Sequence, residues 1–583
     1  MSISVELKLV DRSVTVCRII QKYLSNNYKH CVSGYIRNNE KQTKGRRAPL
    51  QIMQLILINS FFYEVFNPMA KLIMSTNDKE LESNILSDIL QLLKLPNACD
   101  ENLIKILDDS NIFLYYISNL IQHKNNDFNY YKKINCFLAF IQSCSTNPLL
   151  LIKYEAHKMY SNLLTNAASY GDIGMCLYVL AEIAANNMCH EILIRDCILD
   201  ILHRIIIKMF RETKFSICLI ESCGAAASLL QRLSESIYES SESNENRFCI
   251  MLLLLLKKTL LMKQTYFDIH EKKESHSNKC PFNELRLVFD NDIILPLSRS
   301  LFIITGTSEY ACGYITQQLL PRITLNLTNT TMLQECLCLM QYQVQHVRTC
   351  IIKFFNNTLV RENIVIIDIL IQNGIIDKFE KIITQNKYNV SDEEHINILL
   401  SISNLLSSNS SHRGLILSNQ MIVSYIFSSL YDFQSPGAVQ AALYCINNVL
   451  EMEEQIHIDC ILHHLNGKII NATVSILNLI AINSPLSGYE RHSDGKESLF
   501  NVVMQTIYDM VAIIQKDTSN KTNWMMAKMK SENLTGALKR LSLWRHVKGN
   551  IFCIEINFLE KIGLLKYQHC IAYLIETLIK KEQ

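Results

Sequence analysis

The chain has 583 residues, and its 16 glycines and 9 prolines make up about 4% of it, against roughly 12% in average globular proteins. Sheets, barrels and sandwiches need many glycine and proline turns, so this composition predicts an all-α protein. Hydrophobic residues make up 49% and charged residues 19%, which excludes global disorder. The net charge of +2 excludes a general nucleic-acid-binding surface and leaves only local basic patches to consider.

Runs of 10 to 16 residues with apolar side chains three and four positions apart alternate with short polar breaks along the chain. This is the pattern of amphipathic helices, and it predicts helices at residues 83–95, 102–121, 132–143, 152–164, 175–185, 191–209 and 247–262. Longer polar segments at 37–49, 234–246, 263–283, 483–498 and 516–523 are predicted loops. Helices separated by so many short breaks favour a stacked helical array.

Three segments of the second half repeat the same pattern. Asn357, Asn404 and Asn448 align, at steps of 47 and 44 residues. The positions five and two residues before each asparagine are apolar in all three segments: Ile352 and Phe355, Leu399 and Ile402, Leu443 and Ile446. Steps of this length are typical of two- and three-helix repeat units.

Each segment also carries a helix-ending signal 16 to 19 residues after its asparagine, at Gly374, at Gln420 after Asn419, and at Gly467. New apolar runs begin nearby at Ile375, Met421 and Lys468. Glycine and asparagine adopt the left-handed conformation that ends a helix, so we expect the chain to turn back at these points.

Residues 337–480 resemble armadillo repeats of the importin-α and β-catenin kind, whose third helix carries an apolar-x-Asn-apolar stretch. The resemblance implies a right-handed α-solenoid of stacked armadillo/HEAT-like repeats. In that family the asparagine lines a concave groove and hydrogen-bonds an extended peptide, which makes Asn357, Asn404 and Asn448 the candidate groove residues. The alternative is that these amides satisfy neighbouring backbone groups of the protein itself.

Importin-α also carries a tryptophan one helical turn before its asparagine. The two tryptophans of this chain, Trp524 and Trp544, lie outside the repeats, which argues against a nuclear-transport adaptor. We therefore predict a non-enzymatic scaffold or adaptor that holds a protein partner, as an extended peptide or a helix, in the groove. No specific nucleic acid is expected as a partner.

We predict a solenoid of roughly ten to thirteen armadillo/HEAT-like units. Its segments are an N-terminal helical segment and basic loop (1–49), degenerate repeats (50–262), a polar loop (263–283), armadillo-like repeats (284–515), and a basic, tryptophan-containing segment with capping helices (516–583).

Twenty cysteines are present, and many lie inside apolar helical runs, where a free thiol behaves as a small hydrophobe. We expect free thiols and a location in the cytoplasm or the nucleus, because the first residues also lack the features of a secretory signal. The longest apolar runs, at 50–66 and 249–256, are too short or too polar to span a bilayer.

Candidate chemical sites are few. His457, Cys460 and His464 share one helical stripe, but the first and last are about 10.5 Å apart along the helix axis, too far for one zinc ion. No phosphate loop, dinucleotide-binding motif or nucleophile elbow occurs. We predict neither metal nor cofactor and no enzymatic activity; the alternative is an exchange factor or enzyme whose active surface carries no motif.

Charge is concentrated at residues 521–548, which carry a net +6. The candidate interaction residues there are Lys528, Lys530, Lys539, Arg540, Trp544 and Arg545. They would meet an acidic partner, a calmodulin-like protein or an anionic membrane; alternatively, the segment caps the solenoid and its cations are solvated.

The basic loop at 37–47 is a solvated loop or a localisation signal, and the serine-rich acidic segment at 234–246 is a linker or a phosphorylated insertion.

Overall fold

The computed structural model describes residues 155–271, 282–323, 331–384, 390–451, 468–482 and 499–516, with short gaps inside these ranges, together with residue 152 and a few positions between 527 and 537. Every regular element in these residues is a helix, which confirms the predicted all-α class. The chain divides into two compact units between Pro296 and Leu297. The finer division into five segments stays a prediction.

The first unit is a set of helices joined by short turns. They are α1 (Ala156–Asn166), α2 (Tyr170–Ile183), α3 (His190–Arg195), α4 (Ile198–Arg211), α5 (Ile217–Leu233), α6 (Glu242–Glu271) and α7 (Phe282–Val288), followed by the π-helical turn Phe289–Ile294. Helix α2 packs on α5, α5 packs on the π-helical turn, and α4 packs on α6. Helix α1 contacts both α2 and α4.

The second unit is also a set of helices. Its helices are α8 (Leu295–Thr307), which contains the boundary, α9 (Glu309–Gly313), α10 (Met332–Leu339), α11 (Gln345–Val360), α12 (Ile364–Gln372), α13 (Ile375–Thr384), α14 (Asp392–Ser408), α15 (Ser410–Ser418), α16 (Gln420–Ser429), α17 (Pro436–Leu450), α18 (Lys468–Ile482) and α19 (Leu499–Lys516).

Two successive three-helix repeats are visible in this unit, α12–α13–α14 and α15–α16–α17. The third helices α11, α14 and α17 begin at Gln345, Asp392 and Pro436, and these starts repeat the steps of 47 and 44 residues. Helix α11 packs on α14, α14 on α17, and α17 on α19. The six aligned apolar side chains are all fully buried: Ile352, Phe355, Leu399, Ile402, Leu443 and Ile446. The predicted stacking of repeats is confirmed, and its handedness stays a prediction.

Local sequence signals explain where several helices begin and end. Helix α14 starts with a capping box, in which the Ser391 hydroxyl accepts from the Glu394 amide at 3.3 Å and the Glu394 carboxylate accepts from the Ser391 amide at 2.9 Å. Thr331 and Gln334 form the same arrangement at the start of α10. Gly374, with a φ of +83°, provides the left-handed turn between α12 and α13, as the sequence predicts.

At Asn419 the prediction of a left-handed turn is wrong. This residue has a φ of −84°, and its side chain caps α16 by accepting from the amides of Met421 and Ile422 at 3.1 and 3.2 Å. An asparagine can either end a helix in the left-handed conformation or cap the start of the next helix. Here its side-chain oxygen accepts from the free amides at the start of α16. Gly467 lies outside the described residues.

Two predicted helices have different limits. The helix predicted at 191–209 is interrupted at Asp196, whose carboxylate lies 2.7 Å from the His157 ring. The helix predicted at 247–262 runs from Glu242 to Glu271, so the loops predicted at 234–246 and 263–283 are shorter than expected. Its extension includes Lys263, which pairs with the buried Asp290 carboxylate at 2.5 Å. The three predicted helices before residue 150 lie outside the described residues.

Candidate functional site

The three aligned asparagines lie on consecutive third helices, Asn357 on α11, Asn404 on α14 and Asn448 on α17. Each is partly exposed, whereas the residue immediately before it is buried. Because these helices pack side by side, the three amides form one row. We call this row the asparagine face.

Each asparagine of the face donates a side-chain N–H to a helix three elements earlier in the chain. The Asn357 Nδ2 lies 3.0 Å from the Phe302 carbonyl on α8. The Asn404 Nδ2 lies 3.0 Å from the Asn356 Oδ1. The Asn448 Nδ2 lies 2.8 Å from the Ser403 carbonyl and 2.9 Å from its hydroxyl. The row is therefore tied to the repeats by a ladder of side-chain hydrogen bonds.

Two of the residues that accept these bonds, Asn356 and Ser403, come directly before an aligned asparagine. Asn356 is itself held by Asn397, at 3.4 Å between Nδ2 and Oδ1. Asn447 continues the ladder to α19, because its Oδ1 accepts from the Thr506 hydroxyl at 2.7 Å. Sequence reasoning missed this buried row, although the doubled asparagines at 356–357 and 447–448 are a visible signal.

The ladder uses the side-chain N–H groups of the asparagine face and leaves the side-chain oxygens available as hydrogen-bond acceptors. Within the described residues, the Oδ1 atoms of Asn357, Asn404 and Asn448 accept no hydrogen bond. Gly306 on α8 allows the close approach at the start of the row, because a Cβ there would lie 3.0 Å from the Asn357 Nδ2. The asparagine face thus presents a row of oriented acceptors whose donors are already engaged by the protein.

No protein-family model matches the sequence, and no curated protein matches it. The structure is similar to that of an engineered protein from the Northeast Structural Genomics Consortium, with a TM-score of 0.55 and 13% identity, covering 82% of this chain and 93% of that one. A computationally designed armadillo repeat protein for modular peptide recognition gives a TM-score of 0.35 at 13% identity, covering 50% of this chain and 98% of that one.

Stacked three-helix units with aligned asparagines on neighbouring third helices decide the fold. It is an armadillo-like helical repeat. The likeness to the engineered protein agrees with this architecture, and at such low identity it shows the fold alone.

One helical turn before each asparagine, the armadillo-like third helices carry Lys353, Leu400 and Tyr444, all partly buried. The Lys353 ammonium lies 4.9 Å from the centre of the Phe302 ring and pairs with the Glu393 carboxylate. The Tyr444 hydroxyl accepts from the Gln440 amide at 3.0 Å. These three side chains differ in charge and shape, so each asparagine has a different neighbour.

A buried ion pair joins α11 to α14. The Arg348 guanidinium contacts both oxygens of Glu394, at 2.6 and 3.0 Å, and the two side chains are 3% and 0% exposed. The Arg348 guanidinium also donates to the Tyr342 carbonyl at 3.0 Å. The pair therefore joins two successive repeats of the second unit.

The basic segment is only partly described. Lys528 forms an ion pair with Glu532 at 2.7 Å, so its charge is compensated within the segment. Met529 and Leu534 are 2% and 1% exposed, so these two apolar side chains of the segment are buried. The remaining candidates lie outside the described residues: Lys530, Lys539, Arg540, Trp544 and Arg545.

The ten described cysteines are free thiols. Burial raises the pKa of the Cys176, Cys223 and Cys336 thiols to about 12 and that of Cys189 to about 11. Such thiols remain protonated at neutral pH and are poor nucleophiles. Two other cysteines that the sequence places in apolar runs, Cys218 and Cys338, are exposed.

Within the described part of the chain, no cluster of three or more ligand-type side chains could hold a metal ion. His190 uses both ring nitrogens, on the Ser236 hydroxyl at 2.7 Å and the Ala184 carbonyl at 2.8 Å. His457, Cys460 and His464 lie outside the described residues. No helix in the described ranges is both long and apolar enough to cross a membrane.

Proposed function

We propose that the protein is a non-enzymatic scaffold or adaptor that holds an extended segment of a partner protein across the asparagine face, which forms the inside of a concave groove. The observation that carries the proposal is the row of free Oδ1 acceptors on three consecutive third helices. Stacked helical repeats use extended surfaces of this kind for binding.

An extended peptide suits this row because its backbone amides point outward and have no partner within the peptide. An Oδ1 atom accepts such an N–H whatever the side chains of the peptide are. The ladder behind the row fixes each amide before the peptide arrives, so less conformational entropy is lost on binding. The sequence preference would then come from the varied neighbours Lys353, Leu400 and Tyr444.

The proposal of a binding protein rather than an enzyme draws on the described thiols and histidines. The buried thiols have raised pKa values, and His190 is engaged by structural partners on both nitrogens. A nuclear-transport adaptor is less well supported, because the positions one turn before the asparagines carry no tryptophan.

We further propose a location in the cytoplasm or the nucleus and an acidic partner for the basic segment.

The test selects random peptides displayed on phage against the immobilised full-length chain and measures the affinity of the selected peptides. Replacing both Asn404 and Asn448 by alanine should weaken binding about 5- to 150-fold, since buried peptide groups are left unpaired at a cost of about 1 to 3 kcal/mol. The matched control replaces Asn162 and Asn166 on α1, which are exposed asparagines of the first unit. Unchanged affinity in a folded double variant would refute the proposed role.

A further inference from the structure

The turn between α4 and α5 exposes apolar side chains in an unusual setting. All six residues from Thr213, in the turn, to Cys218, the second residue of α5, are exposed, and two of them are large and apolar. Phe215 is 40% exposed and Ile217 is 68% exposed. Two large apolar side chains, exposed two positions apart, are costly in water unless they meet another surface.

Cations surround this turn. Arg204, Lys208 and Arg211 follow each other at intervals of four and three residues on one exposed face of α4, and Lys214 lies in the turn itself. Residues 204–217 contain four cations and the single acid Glu212. Lys208, Arg211 and Lys214 form no ion pair within the described residues. The exposed charges of the turn are therefore positive.

Glu212 does not offset these cations, because its carboxylate is engaged in holding the turn. One oxygen accepts from the Lys214 amide at 2.9 Å, and the other accepts from the Tyr170 hydroxyl at 3.3 Å. The amide of Lys214 is the main reason why the pKa of Glu212 lies below its usual value.

Hydrogen bonds of Lys258 and Ser216 also hold the backbone of the turn in place. The Lys258 ammonium on α6 donates to the carbonyls of Phe210 and Glu212 at the end of α4, and it lies 5.8 Å from the centre of the Phe215 ring. The Ser216 hydroxyl accepts from the Leu219 amide at 3.1 Å and starts α5. Phe215 and Ile217 are thus displayed by an ordered backbone, which removes an entropic cost from docking.

An exposed apolar pair on α12 lacks this charge pattern. Ile364 and Val365 on α12 are 53% and 60% exposed, and residues 361–372 contain one cation, Arg361, and two acids, Glu362 and Asp368. The combination of exposed apolar side chains with unpaired cations distinguishes the α4–α5 turn from this pair on α12.

We propose that the α4–α5 turn docks the protein on an anionic lipid bilayer. Phe215 and Ile217 enter the interfacial region, and Arg204, Lys208, Arg211 and Lys214 contact the lipid phosphates. A nucleic acid or an acidic protein would use the cations, but it would leave the aliphatic Ile217 without a matching surface. The proposal does not depend on the asparagine face.

The experiment is flotation of the full-length chain with vesicles of phosphatidylcholine, alone or mixed with phosphatidylserine. The wild type should float with the anionic vesicles and not with the neutral ones, and binding should fall as salt rises. The pair Phe215→Ser and Ile217→Ser, and separately the pair Arg211→Glu and Lys214→Glu, should each reduce the bound fraction about tenfold. The matched control, Ile364→Ser with Val365→Ser, should bind like the wild type.

A Phe215→Trp variant reports insertion directly. Brominated lipids should quench its fluorescence more than that of the wild type, whose tryptophans lie elsewhere in the sequence. Equal binding to neutral vesicles, no binding at all, or equal losses in the control variant would overturn the proposal. Retained binding of the serine pair, combined with competition by duplex DNA or polyglutamate, would also overturn it by identifying a site for any polyanion. A melting curve confirms that each variant is folded.

Discussion

The two units join their helices by different chemistry. In the second unit, asparagine side chains and a buried arginine–glutamate pair link the third helices. In the first unit, the joint between α2 and α5 combines close approach of small residues with a partly exposed ion pair. Gly174 faces Ser222, the Ser222 hydroxyl donates to the Tyr170 carbonyl at 2.5 Å, and Arg232 contacts the Glu182 carboxylate at 3.3 Å. The same fold thus tolerates both polar ladders and close backbone approach, and only the ladder creates a row of free acceptors among the described residues.

We expect the largest loss of stability from a change in the buried ion pair between α11 and α14. Arg348→Ala should destabilise the protein by about 3 to 5 kcal/mol, because it leaves Glu394 charged and unpaired in the core. Chemical denaturation followed by circular dichroism measures this loss. Arg348→Met combined with Glu394→Gln should recover most of it, since the glutamine keeps the capping box. An equally large loss in the double variant would contradict an account based on an unpaired charge.

A side chain added at Gly174 should destabilise the contact between α2 and α5 by overpacking. A Cβ at Gly174 would lie 3.1 Å from the Ser222 hydroxyl, so Gly174→Val should cost about 1 to 3 kcal/mol. Gly313 has no neighbour within 4 Å of the corresponding position and is the control. Gly313→Ala should stabilise the protein by up to about 1 kcal/mol, because alanine favours the helix. Equal destabilisation by the two changes in thermal melts would show that close approach is not the cause.

A buried acid makes the joint between α17 and α19 sensitive to pH. Burial raises the pKa of Asp509 to about 6, against a hydrogen bond from Gln505 that lowers it and with a smaller contribution from Glu451 that raises it. The folded state therefore binds this proton more tightly than the unfolded state. Its stabilising effect is complete below about pH 4 and is lost as pH rises through about 6.

Asp509→Asn should remove this dependence and stabilise the protein by about 1 to 2 kcal/mol at pH 7.5, because the amide carries no charge to bury. Denaturation curves of the wild type and the variant across this pH range provide the measurement. A variant that is less stable than the wild type at pH 7.5 would indicate that the charged carboxylate has a favourable partner.

The smallest effect on stability is expected in the basic segment. On the interaction hypothesis these side chains are solvated, so reversing Lys539, Arg540 and Arg545 to glutamate should change the free energy of unfolding by less than about 0.5 kcal/mol. Binding of an acidic partner should be lost, and wild-type binding should weaken with salt. Lys381→Glu with Arg322→Glu, two exposed cations elsewhere, is the control. A large loss of stability would instead assign the segment to the core.

The sequence predicts the repeat because the spacing of buried side chains is local and periodic. Aligned asparagines and apolar residues gave the steps between α11, α14 and α17 correctly. It does not predict which groups meet across the joints, since the bond from Asn404 to Asn356 spans 48 residues. Asn419 shows the same limit: its role as a helix start, not a left-handed turn, depends on the neighbouring amides.

The most direct test of the central claim locates a bound peptide on the asparagine face. The photoreactive residue p-benzoylphenylalanine is placed at Leu400, beside Asn404, or at Leu415 on α15, which is 49% exposed on the first helix of the next repeat. After irradiation with a peptide selected on the full-length chain, mass spectrometry identifies the crosslinks. The account predicts crosslinks from position 400 and none from position 415. Crosslinks from position 415 alone would contradict it.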